Sequence, residues 1–235
     1  MLIAAAIVAG CGGDDTADPP PAAETPAVTT TPQPTAPAGL DGCISAGRGI
    51  RVAGERATFG RGAVAVVTVS GPGGDACQWR ELANRLAGRG LRVVVSAAGA
   101  ADAPEPAAAA IRRLRARRIA LLSTSAGAAT AIDAARAAGG VDAIVTLSAV
   151  RYADGSDLLP RARRLDLPLL HVGSRGDPDT LEGDDTRALR PSGRVVLVDG
   201  DAHGTDVVAE HPALAAEIAA FLRRRRRDEC HLMLP

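Results

Sequence analysis

The sequence predicts an α/β domain: a mostly parallel sheet with helices on both faces. Three observations carry this. Apolar runs rich in valine, isoleucine and leucine alternate with segments of helical period from about Gly39 to Arg227. The central runs are continuous rather than alternating, as in strands covered on both faces. Strands that alternate with helices call for parallel pairing through right-handed crossovers.

The elements follow in order. Residues 50–59 (IRVAGERATF) alternate and read as an antiparallel hairpin strand, and residues 63–69 (AVAVVTV) as a buried strand. A Gly-rich turn leads into an amphipathic helix over 76–89, with Trp79, Leu82, Ala83 and Leu86 on one face and Gly90 closing it. Residues 91–96 are the next strand, and 106–117 a helix with a basic face. A strand over 118–123 feeds an Ala-rich helix over 126–138, ended by Gly139 and Gly140. Strands follow at 142–148, 167–173 and 194–199, and a last helix covers 211–227. No long insertion follows Ser148, which leaves little room for a cap domain.

Ligand sites in such sheets sit at the carboxyl ends of the strands, and three motifs fall there. Ser123, Thr124, Ser125, Ala126 and Gly127 stand between an apolar strand and a helix, the setting of a nucleophile elbow. Ser123 takes the place of the usual first glycine and is still small. Ser125 is the candidate nucleophile, and the Ala126 N–H at the helix start is a candidate oxyanion donor. His203 follows the last strand, where a general base belongs. Asp177 follows the strand before it and would orient that base, with Asp179 the nearest substitute. Ser125 could instead be only a helix cap, His203 a solvated loop residue and Asp177 a cap of the next helix.

Taken together, these residues resemble the α/β-hydrolase superfamily, nearest to small uncapped, dienelactone-hydrolase-like members. The resemblance implies a serine hydrolase that cleaves a small-molecule ester, thioester or amide with Ser125, Asp177 and His203 in that chain order. The stretch from Gly73 to Trp79 is similar to the oxyanion loop of actinobacterial secreted members. The chain departs from the family at two loops. The usual His-Gly-x after the third strand is Ser70, Gly71 and Pro72 here, and proline has no N–H to donate. Either Gly73 supplies the second oxyanion donor after a shifted turn or the hole is half built. The polar anchors usual after the fourth strand are missing from 96–103. A second reading draws on both departures: a catalytically impaired hydrolase fold that binds an envelope ligand or partner.

The first ten residues (MLIAAAIVAG) are apolar, far shorter than a membrane-spanning helix, and followed by Cys11. This resembles the lipobox of bacterial lipoproteins. It implies a signal peptide over 1–10, lipidation of Cys11 and display on the extracytoplasmic face of the membrane, although the leader lacks the usual Lys or Arg. Residues 11–39 are rich in Pro and Thr and read as a disordered tether, 40–227 as the hydrolase domain and 228–235 as a disordered tail.

The chain has four cysteines. With Cys11 lipidated, Cys43 and Cys77 are the favoured disulfide pair because both flank the first strands and Cys230 lies in the odd tail; both buried and reduced is the alternative. In the secreted relatives that the loop resembles, a Cys before Gln-Trp fits pairing with an N-terminal Cys, which supports the same pair.

Composition narrows the partners. All 27 basic residues are arginine, balanced to a net charge of +0, so no global field favours nucleic acid. Aromatic content is 2%, which leaves no platform for stacking bases. No Cys/His spacing suggests zinc and no Gly-rich phosphate loop is present, so no metal or cofactor is expected. His171 reads as a core residue and His211 as a helper at the start of the last helix. The arginines at 112, 113, 115, 117 and 118, and at 223–227, read as solvated faces.

Overall fold

The computed structural model describes residues 40, 42–71, 74–96, 104–153, 155–189 and 193–224. The leader, Cys11, the tether, Pro72, Gly73, the 97–103 loop, Cys230 and the tail lie outside the described residues.

Residues 50–59 form two strands. β1 (Ile50–Ala53) and β2 (Arg56–Phe59) pair antiparallel around Gly54, whose φ of 56° permits the tight reversal. β3 (Val64–Val69) follows. A short 3-10 turn (Cys77–Trp79) then leads into α1 (Arg80–Ala87). Gly90, at φ 82°, closes α1 as expected: its N–H bonds the Ala87 carbonyl and the Leu91 N–H reaches back to Leu86. β4 (Arg92–Ser96) comes next.

The helix expected over 106–117 is α2 (Pro104–Arg113). It stops four residues early, so Arg115 and Arg117 sit on the connector. Arg118 opens β5 (Arg118–Thr124), half-buried, and donates to the Arg223 carbonyl at 2.8 Å. α3 (Gly127–Ala138) ends at Gly139 and Gly140, both at positive φ, and β6 (Ala143–Leu147) follows.

Between β6 and the next sheet strand the chain inserts a two-stranded hairpin, β7 (Tyr152–Ala153) with β8 (Ser156–Asp157), and then α4 (Leu158–Arg163). Asp157 caps α4 by accepting from the Leu159 N–H at 3.0 Å. β9 (Leu169–Ser174), α5 (Gly183–Leu189) and β10 (Gly193–Val198) complete the sheet. The closing helix expected over 211–227 is α7 (Leu214–Arg223), and a separate short helix, α6 (Asp206–Glu210), precedes it. His211 lies between them: its ring meets the Asp199 carbonyl at 2.9 Å, and its own carbonyl accepts from the Leu214 N–H at 3.0 Å at the start of α7.

The eight sheet strands run in the order β1-β2-β4-β3-β5-β6-β9-β10. β2 pairs antiparallel with β1 and β4, and every pairing from β4 to β10 is parallel. Both faces are covered. Val66, Leu122, Val145 and Val172 pack with Trp79, Leu86, Val207 and Ile218 under α1, α6 and α7. Val67, Leu121 and Ile144 pack with Ile111, Ile132 and Leu158 under α2, α3 and α4. This two-sided burial explains the continuous apolar runs.

Cys43 and Cys77 form a disulfide, with Cα atoms 5.5 Å apart and a sequence separation of 34. The cross-link ties the segment ahead of β1 to the turn that starts α1. By loop-closure entropy, reduction of the protein is expected to lower its unfolding free energy by about 2–4 kcal/mol. Urea titrations with and without reductant check this, with Cys43→Ser reproducing the shift.

His171 lies in β9 with no exposed surface, its Nδ1 3.0 Å from Thr146 Oγ1 and its Nε2 3.5 Å from Thr180 Oγ1. Burial pushes its pKa from 6.5 down to about 4, against the opposing pull of the Leu181 backbone and the Asp177 charge. It is therefore neutral in the fold, whereas the unfolded chain takes up this proton below about pH 6.5. The contribution to stability is full above that pH and is lost as pH falls to about 4, a change on the order of 3 kcal/mol. In urea titrations across that window, the stability gap between wild type and His171→Gln is expected to shrink by that amount.

Candidate active site

At the carboxyl end of β5 the chain turns sharply into α3. Ser125 occupies this turn at φ 51°, one of two non-glycine residues at positive φ among those described; the other is Ser148, at φ 47°. A left-handed backbone costs a side-chain-bearing residue on the order of 1 kcal/mol or more. The turn is held by its neighbours. The Ser125 N–H donates to the Leu147 carbonyl at 2.9 Å, and Ser123 is fully buried within β5.

Gly127 is required by contact. A Cβ there would lie 2.5 Å from the Ser70 carbonyl oxygen. Gly71 is similarly confined, since a Cβ would meet Ser125 Cβ at 3.1 Å and the Ala126 nitrogen at 3.4 Å. The segment after β3 therefore lies against the elbow. The Gly71 N–H donates to Thr124 Oγ1 at 3.3 Å, and the Gly74 N–H closes a turn onto the Gly71 carbonyl at 3.0 Å. Trp79 Nε1 and Gln78 Nε2 both donate to Ser70 Oγ, at 2.8 and 3.2 Å. Asp75 receives the Cys77 and Gln78 N–H groups at 2.8 and 3.2 Å. Composition at 75–79 does not announce this brace, because a Trp in an amphipathic helix reads as core alone.

The Ala126 N–H has no partner among the described residues and stands at the start of α3, where unpaired N–H groups favour negative charge. The second expected donor, Gly73, lies outside the described residues.

Asp177 is buried beyond the end of β9, at 3% exposure. One carboxylate oxygen accepts from the Asp179 N–H at 3.1 Å, and the other lies 2.7 Å from His203 Nδ1. A carboxylate only accepts, so His203 donates from Nδ1, and its Nε2 makes no hydrogen bond among the described residues. Asp179, the substitute, is exposed, and the structure gives the partnership to Asp177. Two backbone bonds tie the loops together: the Arg175 N–H to the Val198 carbonyl at 2.9 Å and the Gly176 N–H to the Gly200 carbonyl at 2.8 Å.

His203 is partly exposed, and Gly204 after it lies over Thr124, the residue before Ser125. The three residues thus come from the ends of β5, β9 and β10 and converge on one edge of the sheet. Ser125 Oγ itself makes no hydrogen bond among the described residues.

A cavity of about 390 Å³ lies elsewhere, between α2 and the strands β2 to β4, and neither Ser125, Asp177 nor His203 lines it. No group of His, Cys, Asp and Glu among the described residues could hold a metal ion. No described helix is long and apolar enough to cross a membrane.

No family model and no curated protein matches the sequence. Solved structures do match in shape. An esterase from Pyrococcus furiosus superposes with a TM-score of 0.61 at 14% identity, covering 72% of this chain and 85% of that one. A hydrolase from Oleispira antarctica gives 0.59 at 11% identity, covering 72% and 94%. The thioesterase domain from the curacin biosynthetic pathway gives 0.56 at 13% identity, covering 72% and 94%. With this strand order, two-sided helix cover and no large cap, the chain has the α/β-hydrolase fold.

Proposed function

We propose that the protein is a serine hydrolase that cleaves an ester, thioester or amide of a small molecule, displayed at the cell envelope through a lipid on Cys11. The observation that carries the reading is the 2.7 Å bond from His203 Nδ1 to the buried Asp177 carboxylate, at the same end of the sheet as a serine at φ 51°. A structural helix cap does not need a strained backbone, and a solvated loop histidine does not need a buried acid. The names of the fold neighbours, an esterase and a thioesterase domain, support the same class.

In this reading Ser125 Oγ attacks the acyl carbon while its proton moves to His203 Nε2. The oxyanion that forms takes the Ala126 N–H, with Gly73 as the second donor. The imidazolium, stabilised by Asp177, returns the proton to the departing alcohol, thiol or amine as the acyl bond breaks. Water, deprotonated by the same nitrogen, then attacks the acyl-Ser125 ester; the bond from the acyl carbon to Ser125 Oγ breaks, Oγ takes the proton back from His203 Nε2, and the acid is freed.

Treatment of the purified protein with a fluorophosphonate is expected to give a single adduct, mapped to Ser125 and absent in Ser125→Ala. Hydrolysis of a short-chain p-nitrophenyl ester is expected to fall roughly 10³- to 10⁴-fold in His203→Ala and Asp177→Asn. A folded protein that takes no adduct overturns catalysis. It favours the binding-protein reading, to which Pro72 and the unbonded Ser125 Oγ would then belong. Envelope display has a separate check: Cys11→Ser is expected to move the protein from the membrane fraction to the soluble fraction of the cells that express it.

A further inference from the structure

Leu147, the last residue of β6, and Ser148 after it bond to the Ser125 turn, to strand β9 and to the His203 loop. The Leu147 carbonyl accepts from the Ser125 N–H at 2.9 Å. The Ser148 N–H donates to the Val172 carbonyl of β9 at 2.8 Å, and β9 runs on towards Asp177. Ser148 Oγ accepts from the Gly204 N–H at 2.9 Å, directly after His203. Ser148 is fully buried, and it is a serine where its φ of 47° favours glycine. A glycine would relieve the backbone but remove the hydroxyl. Gly204 is also buried, and a Cβ there would rest 3.6 Å from Thr124 Cγ2, so the His203 loop is seated on the last residue before the nucleophile. Without Ser148 Oγ, the buried Gly204 N–H has no acceptor in this arrangement, and the loop must move to find one.

From this geometry we infer that Ser148 is a positioning residue. Through Gly204 it holds the His203 loop against Thr124, so that the ring keeps its bond to Asp177 next to the nucleophile turn. The inference rests on the hydrolase reading for its catalytic meaning, while the hold on the loop stands on geometry alone.

The test uses Ser148→Ala, which loses only the hydroxyl, with Ser148→Gly beside it, which suits the left-handed backbone but loses the whole side chain. Fluorophosphonate labelling of Ser125 is expected to slow roughly ten- to hundredfold in both, the scale of a small misplacement of a catalytic group. The low-field proton NMR signal of the His203–Asp177 bond is expected to broaden or disappear, with the circular dichroism spectrum unchanged. A purely structural role would lower melting temperature and leave that signal intact in the folded fraction. Labelling at the wild-type rate with the signal retained overturns the inference. So does a Gly204 amide that, in the wild-type protein, exchanges with solvent as fast as an exposed loop amide; this measurement needs no variant. Failure of the wild-type protein to label overturns the hydrolase reading instead. The Gly204 exchange rate and the His203 proton signal still decide whether Ser148 holds the loop.

Discussion

The start of α3 comes within contact of the end of β3, and the site is arranged around that approach. Only a hydrogen at Gly127 fits against the Ser70 carbonyl, and a Cβ at position 71 would press on Ser125 and Ala126 at 3.1 and 3.4 Å. Because the two chains are so close, the turn between β5 and α3 has no room to relax. The left-handed backbone at Ser125 is held by packing on one side and by the Leu147 carbonyl on the other. Strain of this kind persists only where the surroundings over-determine it. Here the surroundings are the sheet itself.

The scarcity of aromatic residues shapes how that sheet is covered. α3 is buried along most of its length through alanines, from Ala128 to Ala135. Small side chains let the helix lie close to β3, β5 and β6, so the elbow is set by backbone proximity more than by bulky wedges. Trp79, the only tryptophan, is the exception. Its ring fills the opposite core while its Nε1 bonds Ser70, joining one apolar layer to the loop that faces Ser125. An indole that is buried and also satisfied at its N–H serves packing and positioning at once.

The central strands were legible because they are short apolar runs and the chain order of strand and helix admits few topologies. Ser125, Asp177 and His203 were legible by place: each follows the end of a strand, and the structure brings the last two into contact. What escaped has physical reasons. α5 carries Asp184, Asp185 and Arg187 in seven residues and has little apolar period, and α6 is only five residues long. The β7–β8 hairpin is too short for alternation to register. Ser148 at a strand end reads as an ordinary polar boundary. Its role shows only in a backbone angle and in a bond to a residue 56 positions away.

The disulfide has a mechanical meaning. A covalent bridge carries tension past whatever lies inside its loop, and the loop from Cys43 to Cys77 contains β1, β2 and β3. A pull on the chain ahead of Cys43 therefore does not peel the β1–β2 hairpin from the sheet edge one hydrogen bond at a time. The load passes to the turn that opens α1, next to the Ser70 brace, and is borne by a helix packed across the sheet. For a domain held at one end, the cross-link moves the point of attachment from a weak edge to the middle of the fold.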